Sequence, residues 1–339
     1  MRALAITCVK NEGAFLLEWL AHHRCCGFTD FLVFSNDCSD GTDAILDRMA
    51  AMGWLTHVRN DGPHDEGPQW SALKAANKHP MMQAADWVLF CDMDEFVNIH
   101  VGDRSVQALL AALPMATALP LTWRMFGNAG VVEYTDTPVT ETFTHAAPAT
   151  FGWPWRAQLF KTLFKNDGSY RKLGVHRPRN PDPARLQNQR WFDGSGRALP
   201  VSYHSGRIFS DYTHDTYGLV QLNHYALGSM QGFVVKADRG RANREAGSFD
   251  MGYWVERNFS AVEDRSILTL NSAPLREELH GDTVLRALHV SAVQWRHDRF
   301  ATLMQSEPWR AFFGRLLMTP PSRVLSAQEA KKIVQYNLG

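Results

Sequence analysis

The sequence predicts an α/β protein built on a mainly parallel sheet flanked by helices, and three observations carry that expectation. Strand-like and helix-like patterns alternate through the first hundred residues. Each strand-like run is short, apolar and closed by a polar or glycine-containing segment, as strands buried on both faces read. The fourth, Trp87-Val88-Leu89-Phe90, runs directly into Cys91-Asp92-Met93-Asp94-Glu95-Phe96. A buried strand has no internal use for three carboxylates, so they belong at its exit, where open α/β sheets bind ligands.

The elements follow in order. Residues 3–9 read as the first strand, and 15–23 as a helix with Phe15, Leu16, Trp19, Leu20 and His23 on one face. Residues 31–34 are a second strand and 36–41 a polar turn, after which Ala44, Ile45, Leu46, Met49 and Met52 mark a second helix. A third strand over 54–58 and a Gly/Pro/Asp-rich loop over 60–68 lead into a helix from about 69 to 85. This β-α-β order implies right-handed crossovers. Past Phe96 the rhythm weakens: Ser105 caps a short helix through Leu113, and 117–123 is a further strand. Residues 126–197, rich in Gly, Pro, Trp and Arg, read as a long surface shaping a ligand cleft. From Met230 the pattern is helical, with 240–252 a linker or mobile loop and a helical tail near 327–336.

Composition narrows the function classes. With 339 residues, 45% of them hydrophobic, the chain can bury a large core. Lys+Arg and Asp+Glu both number 35, so no net field draws nucleic acid or an anionic membrane, and no nucleic-acid role is expected. No apolar stretch approaches the roughly 20 residues of a membrane span, and the start lacks the longer apolar region of a signal peptide. The five cysteines are odd in number and lack C-x-x-C spacing, which suits buried thiols in a reducing compartment. A cytoplasmic location is the resulting expectation.

In an extended segment residues two apart share a side, so Asp92 and Asp94 can converge on one hard cation that also holds a diphosphate, while Glu95 points away. Read with Lys10-Asn11-Glu12, Glu18-Trp19-Leu20-Ala21-His22-His23 and Asn36-Asp37-Cys38-Ser39-Asp40-Gly41-Thr42, this motif resembles family 2-type glycosyltransferases of the GT-A fold. Within them the resemblance is strongest to the branch related to family 92 galactosyltransferases. It is firm over about the first hundred residues and weaker to about Arg241.

The resemblance implies a GT-A catalytic domain over 1–240, with a nucleotide half over about 1–100 and an acceptor half over about 101–240, followed by a helical extension over 241–339. It implies transfer of a hexose from a UDP-sugar, with UDP-galactose one candidate, to a hydroxyl of a carbohydrate acceptor, as in polysaccharide biosynthesis. Mn²⁺ or Mg²⁺ is the implied cofactor. Asp94 would bind the cation, Asp92 the ribose or a metal-bound water, and His224 in Asn223-His224-Tyr225 would complete the metal set, with His176 second in line. Thr7, Asn11, Glu12 and Asp37 lie at strand exits where a nucleoside can rest, and Asp37 can accept hydrogen bonds from a base or ribose. Gln69 and Lys74 open a helix whose start favours phosphate. Asp40 alternates between this role and a plain helix cap.

Trp123-Arg124-Met125-Phe126 resembles the segment lining the donor–acceptor cleft, which Trp153, Trp155 and Trp191 can extend. Inverting transfer needs a base, for which Asp182, Glu133 and His176 are the candidates. Two other classes stay open. A nucleotidyltransferase would usually carry a Gly-rich phosphate loop, which Lys10-Asn11-Glu12-Gly13 is not, and a non-catalytic glycan-binding protein would have less use for an intact pair of acids.

Overall fold

The computed structural model describes residues 1–211, 213–240 and 249–336. Eight strands form one sheet: β1 (Ala3–Val9), β2 (Asp30–Ser35), β3 (Thr56–Arg59), β4 (Trp87–Phe90), β5 (Glu95–Ile99), β6 (Ala118–Met125), β7 (Phe160–Lys165) and β8 (Val220–His224). Their order across the sheet is β3-β2-β1-β4-β7-β6-β8-β5. The first four are mutually parallel, as the alternating pattern requires. β7 enters antiparallel between β4 and β6, β8 lies parallel to β6, and β5 closes the far edge antiparallel to β8.

The α/β class and the predicted elements of the first hundred residues stand, with two corrections. The helix expected over 69–85 is two helices, α3 (Pro68–Lys78) and α4 (Pro80–Ala84). Pro80 has no N–H to continue the ladder and drives His79 into an extended conformation, so the helix restarts with the His79 imidazole accepting from the Met81 N–H. The stretch 126–197 is more than a surface loop, because it contributes β7 to the middle of the sheet.

Helices cover both faces of this sheet. The helix α1 (Leu16–Cys25) buries Leu16, Leu17, Trp19 and Leu20, and its polar residues are equally committed. Glu18 accepts the backbone N–H groups of Val139 and Thr140 at 2.8 and 3.0 Å, while the His22 ring meets the Val97 carbonyl at 2.7 Å. Burial lowers His22 to about 4, so it is a neutral strut. The segment Glu18 to His23 is therefore architecture that welds α1 to β5.

The helix α2 (Thr42–Ala51) follows Gly41, whose φ of 86° glycine adopts without strain. Ser105 caps α5 (Val106–Ala112) by accepting from the Ala108 N–H at 3.1 Å, as the sequence predicted.

The chain's last third is helical. It runs through α6 (Met230–Arg239), α7 (Met251–Val255), α8 (Ala273–Gly281), α9 (Thr283–Leu303), α10 (Glu307–Met318) and α11 (Ala327–Gln335). Leu279, Leu285 and Ala292 join the same buried cluster as Ile45 and Leu46, so α8 and α9 pack directly on the sheet domain. A second cluster, with Phe233, Trp254, Phe312 and Leu316, knits α6, α7 and α10 together. Most of the linker expected over 240–252 lies outside the described residues. Among those described, no helix is long and apolar enough to cross a membrane.

Candidate active site

Topology assembles the site. The chain leaves β4 at the middle of the sheet and crosses to β5 at its edge through residues 91–94. Because β5 pairs with β8 in the register His224↔Glu95, and the Tyr225 N–H donates to the Asp94 carbonyl at 2.8 Å, His224 is delivered beside Asp94 across 130 residues of sequence separation, roughly. His224 Nε2 lies 3.6 Å from Asp94 Oδ1. The other Asp94 oxygen, Oδ2, accepts from Lys236 Nζ at 2.7 Å, and that ammonium also donates to the Ala226 carbonyl.

These side chains form the floor of an open cleft of ≈740 Å³. Burial pushes the Asp94 carboxyl up, but Lys236 and His224 outweigh it together and hold the group well below the usual carboxylate range. Burial lowers His224 despite Asp94, so its imidazole is neutral at pH 7. Lys236 is raised because the attraction of Asp94 exceeds its desolvation. One turn on, Arg239 donates to the Lys10 carbonyl at 2.7 Å and pairs with Glu12.

Asp92 is satisfied differently. Its Oδ2 accepts from Lys161 Nζ at 2.9 Å and its Oδ1 from the Gln69 amide at 3.3 Å. Lys161 sits on β7 and is fully buried, yet Asp92 and Glu95 outweigh desolvation and raise it. Glu95, the acid expected to point away from the cation, lies wholly inside the fold. It accepts from Trp123 Nε1 at 2.6 Å and from the Asp92 N–H at 2.8 Å. Burial raises Glu95 and Lys161 opposes that rise, so Glu95 acts as a brace beneath the loop.

The expected three-donor metal set is not gathered: among the described residues no three His, Cys, Asp or Glu side chains group to hold an ion. Asp92 is instead engaged by Lys161 through Oδ2 and by Gln69 through Oδ1. What the structure offers a divalent cation is one ionised oxygen facing one neutral imidazole nitrogen at 3.6 Å, and Mg²⁺ sites commonly use one or two carboxylates with phosphate oxygens completing the shell.

Of the other predicted residues, Glu12, Gln69 and His176 line the cleft. Thr7 does not, being wholly buried within β1. Asn11 lines a neighbouring pocket, and its amide oxygen accepts the Ser39 N–H at 2.7 Å, tying the loop after β1 to the loop after β2. Asp37 is exposed and accepts from the Gly62 N–H at 3.2 Å. Asp40 is structural: just ahead of the N-cap Gly41, it accepts from the Gly13 and Thr42 N–H groups at 3.0 and 2.9 Å. Lys74 faces solvent, paired with Glu66.

The base candidates separate as well. Asp182 lies in a turn where it accepts from Arg171 and the Ala184 N–H, and Glu133 is an exposed residue lining the neighbouring pocket. Neither lines the cleft. His176 does, with Nδ1 3.0 Å from the Phe160 carbonyl and burial lowering the ring to about 4. Since a carbonyl only accepts, Nδ1 carries the proton and Nε2 keeps its lone pair.

Trp123 packs against both His224 and His176, with ring centroids 4.3 and 5.8 Å apart. Trp155 lines the cleft 46% exposed, beside Phe209, whereas Trp191 is core, as is the general tendency of large aromatics. Sequence reasoning missed Lys161 and gave no role to Lys236 or Arg239. The visible signal for Lys161 was a lysine inside the apolar run Phe160-Lys161-Thr162-Leu163-Phe164.

A cleft at strand exits, floored by Asp92 and Asp94 with Lys236 and Arg239 beside them, is the candidate active site. The chain matches glycosyltransferase family 92 over residues 5–188, more than half its length, and belongs to that family. Two curated relatives are family 92 proteins. The chain is 28% identical to one from Ricinus communis over 101 residues, 28% of this chain and 17% of the relative. It is 25% identical to one from Oryza sativa subsp. japonica over 144 residues, 41% of this chain and 24% of the relative. The matched part thus spans under a quarter of either plant protein's length.

Among solved structures, S. aureus TarS residues 1–349 in complex with UDP overlaps at a TM-score of 0.35 and 13% identity, covering 70% of this chain and 63% of that one. Glucosyl-3-phosphoglycerate synthase from Mycobacterium tuberculosis, with Mn²⁺ and UDP, overlaps at 0.28 and 16%, covering 50% and 59%. Overlaps this partial establish neither ligand nor reaction.

Proposed function

We propose that the chain transfers a hexose from a UDP-sugar to a hydroxyl of a glycan or other carbohydrate, with inversion at the anomeric carbon and with Mn²⁺ or Mg²⁺ as cofactor. The observation that carries this reading is Asp94 on the cleft floor between a neutral imidazole and a buried ammonium. Asp94 and His224 would hold the cation, which when bound supplies positive charge to the departing diphosphate. Lys236 and Arg239 add two fixed cations at the same wall and favour the diphosphate before and after the bond breaks.

On the acceptor side, Trp155 and Phe209 offer aromatic faces to a sugar ring. His176 presents Nε2 to the acceptor hydroxyl and receives its proton as the new bond forms. Burial holds the ring near 4, so it is unprotonated near neutrality but a weak base, and its role here follows from its place in the cleft and not from its basicity. UDP-galactose is the first donor to try. All five cysteines are unpaired, which supports work in a reducing compartment such as the cytoplasm, in glycan or polysaccharide assembly.

The test is a mass-spectrometric screen of UDP-galactose, UDP-glucose and UDP-N-acetylhexosamines against oligosaccharide acceptors, with Mn²⁺ and with EDTA. The expected result is one donor consumed with Mn²⁺ and a drop of at least about tenfold in EDTA. Pyrophosphate made from UTP and a sugar 1-phosphate would replace this reading with a nucleotidyltransferase. Full activity in EDTA would remove the cation while leaving the transfer.

A further inference from the structure

Behind the cleft floor lies a second, half-enclosed pocket of ≈70 Å³, room for about five waters. Glu12, Met93, Asp94, Lys236 and Arg239 line both spaces, so one wall of ion-paired side chains separates them. The pocket's own walls are mostly apolar, from Val131, Val139, Phe143, Tyr225 and Leu227.

The guanidinium of Arg296 also lines it. Arg296 is on α9, 6% exposed, and stacked between two aromatic rings, 4.6 Å from the Phe15 centroid and 5.0 Å from that of Tyr134. Its hydrogen bonding is poor. One terminal N–H reaches the Gly232 carbonyl at 3.4 Å, and Nε has no acceptor. Among the described residues no carboxylate lies within ion-pair distance. Glu12 and Asp94 are committed to Arg239 and Lys236, and Glu133 is exposed and makes no pair with Arg296. Burial lowers the pKa of Arg296, which Tyr134 and Glu12 oppose without outweighing, and Arg239 repels the group from one wall away. A buried charge is ordinarily paired, because an unpaired one forfeits its hydration for nothing. The two rings satisfy the faces of the guanidinium, while its edge has one long bond to Gly232 and an Nε without an acceptor.

We propose that this pocket binds a small organic anion, a carboxylate or phosphate on a short apolar body, with the anionic head on the edge of the Arg296 guanidinium and the body against the apolar walls. Guanidinium edges match both head groups by paired N–H donation. The pocket borders the donor cleft and shares Glu12, Asp94, Lys236 and Arg239 with it, and the inference stands whether or not the chain transfers a sugar.

Benzoate, phenyl phosphate, inorganic phosphate and neutral benzyl alcohol, each titrated calorimetrically into the full chain, test it. The expected result is binding of benzoate or phenyl phosphate at least about tenfold tighter than inorganic phosphate or benzyl alcohol, whichever head group is preferred. Arg296→Met, close in volume and uncharged, should abolish that binding, keep UDP affinity, and melt without ligand no lower than the parent. No binding of either aryl anion, equal binding of benzyl alcohol, or benzoate binding retained by Arg296→Met would overturn the proposal. If Arg296→Met fails to fold, Arg296→Lys decides. It keeps the charge but not the planar edge and should bind at least about tenfold more weakly, whereas unchanged affinity would refute the site.

Discussion

Two strand exits in this molecule end in acids that look alike in sequence and are used in opposite ways. After β2, Asp40 accepts two backbone N–H groups, and Asp37 accepts one. After β4, Asp92 and Asp94 accept instead from side-chain ammonium groups, Lys161 and Lys236, that come from other elements. A carboxylate held by backbone donors has a fixed geometric task. A carboxylate held by a cation at the edge of a cleft sits in a charge balance that an arriving diphosphate and metal can redistribute. In the proposed function the second exit is the chemical one, and the first is its scaffold.

The comparison is broken most forcefully at Asp94. An acid at a strand exit is easily taken as dispensable for stability, and its removal even as relief from carboxylate repulsion. Asp94→Ala should instead be destabilising, because it leaves the buried Lys236 without its counter-ion and with the Ala226 carbonyl still accepting from it, a loss of roughly 3 kcal/mol. Transfer should fall at least about a thousandfold, taking metal and phosphate contacts together. Thermal melts and a donor-consumption assay check both, and Asp94→Ala with Lys236→Met should recover the melting temperature without the activity. Recovery of both would show that Asp94 serves only to neutralise the lysine.

Lys161→Met comes next. It leaves Asp92 and Glu95 facing each other without their shared cation, at a cost of about 2 to 3 kcal/mol at neutral pH. Glu95, already raised by burial, should rise further. A glutamate raised in the folded state contributes stability that is full below its unfolded value and lost as pH climbs through the folded one. The variant should therefore gain on the parent as pH falls toward the ordinary glutamate range. Urea titrations at several pH values would detect this, and a difference constant with pH would mean Glu95 is not the coupled group.

The same contrast explains what could be read from the sequence. β1 to β4 and α1 to α3 were legible because apolar periodicity and turn residues agree there with tertiary burial. β7 was not, since Lys161 and Thr162 interrupt its apolar run and its neighbours are rich in Gly, Pro and Trp. Asp92, Asp94 and His224 carried a motif and were found to converge as a pair with Lys236 rather than as a three-donor set. Their counter-ions lie 69 and 142 residues away along the chain. No local pattern encodes such distances; only the pairing of β4 with β7 and the packing of α6 do.

At the scaffold exit the effects should be smaller and of a different kind. Asp40→Ala removes the acceptor for the Gly13 and Thr42 N–H groups and should cost about 1 kcal/mol, comparable to the loss of a helix cap. UDP affinity should change less than about threefold, since Asp40 is buried beneath the loop and not in the cleft. A large loss of UDP affinity with an unchanged melting temperature would place Asp40 in the binding site and erase the distinction between the two exits.

Lys74 marks the lower limit. The sequence suggested a phosphate contact near a helix start, yet Lys74 lies past the middle of α3, and its ammonium points to solvent and pairs with Glu66 at 2.9 Å, both side chains more than half exposed. Exposed pairs of this kind contribute little, because water screens them and long side chains lose freedom in forming them. Lys74→Ala should leave UDP affinity and turnover within experimental error and shift stability by less than about 0.5 kcal/mol. Calorimetry at low salt is the most demanding check, because an unscreened lysine near a diphosphate would then contribute most. A tenfold loss of UDP affinity there, vanishing at high salt, would mean that α3 swings toward the cleft when the nucleotide binds, and Lys74 would rejoin the site from which this structure separates it.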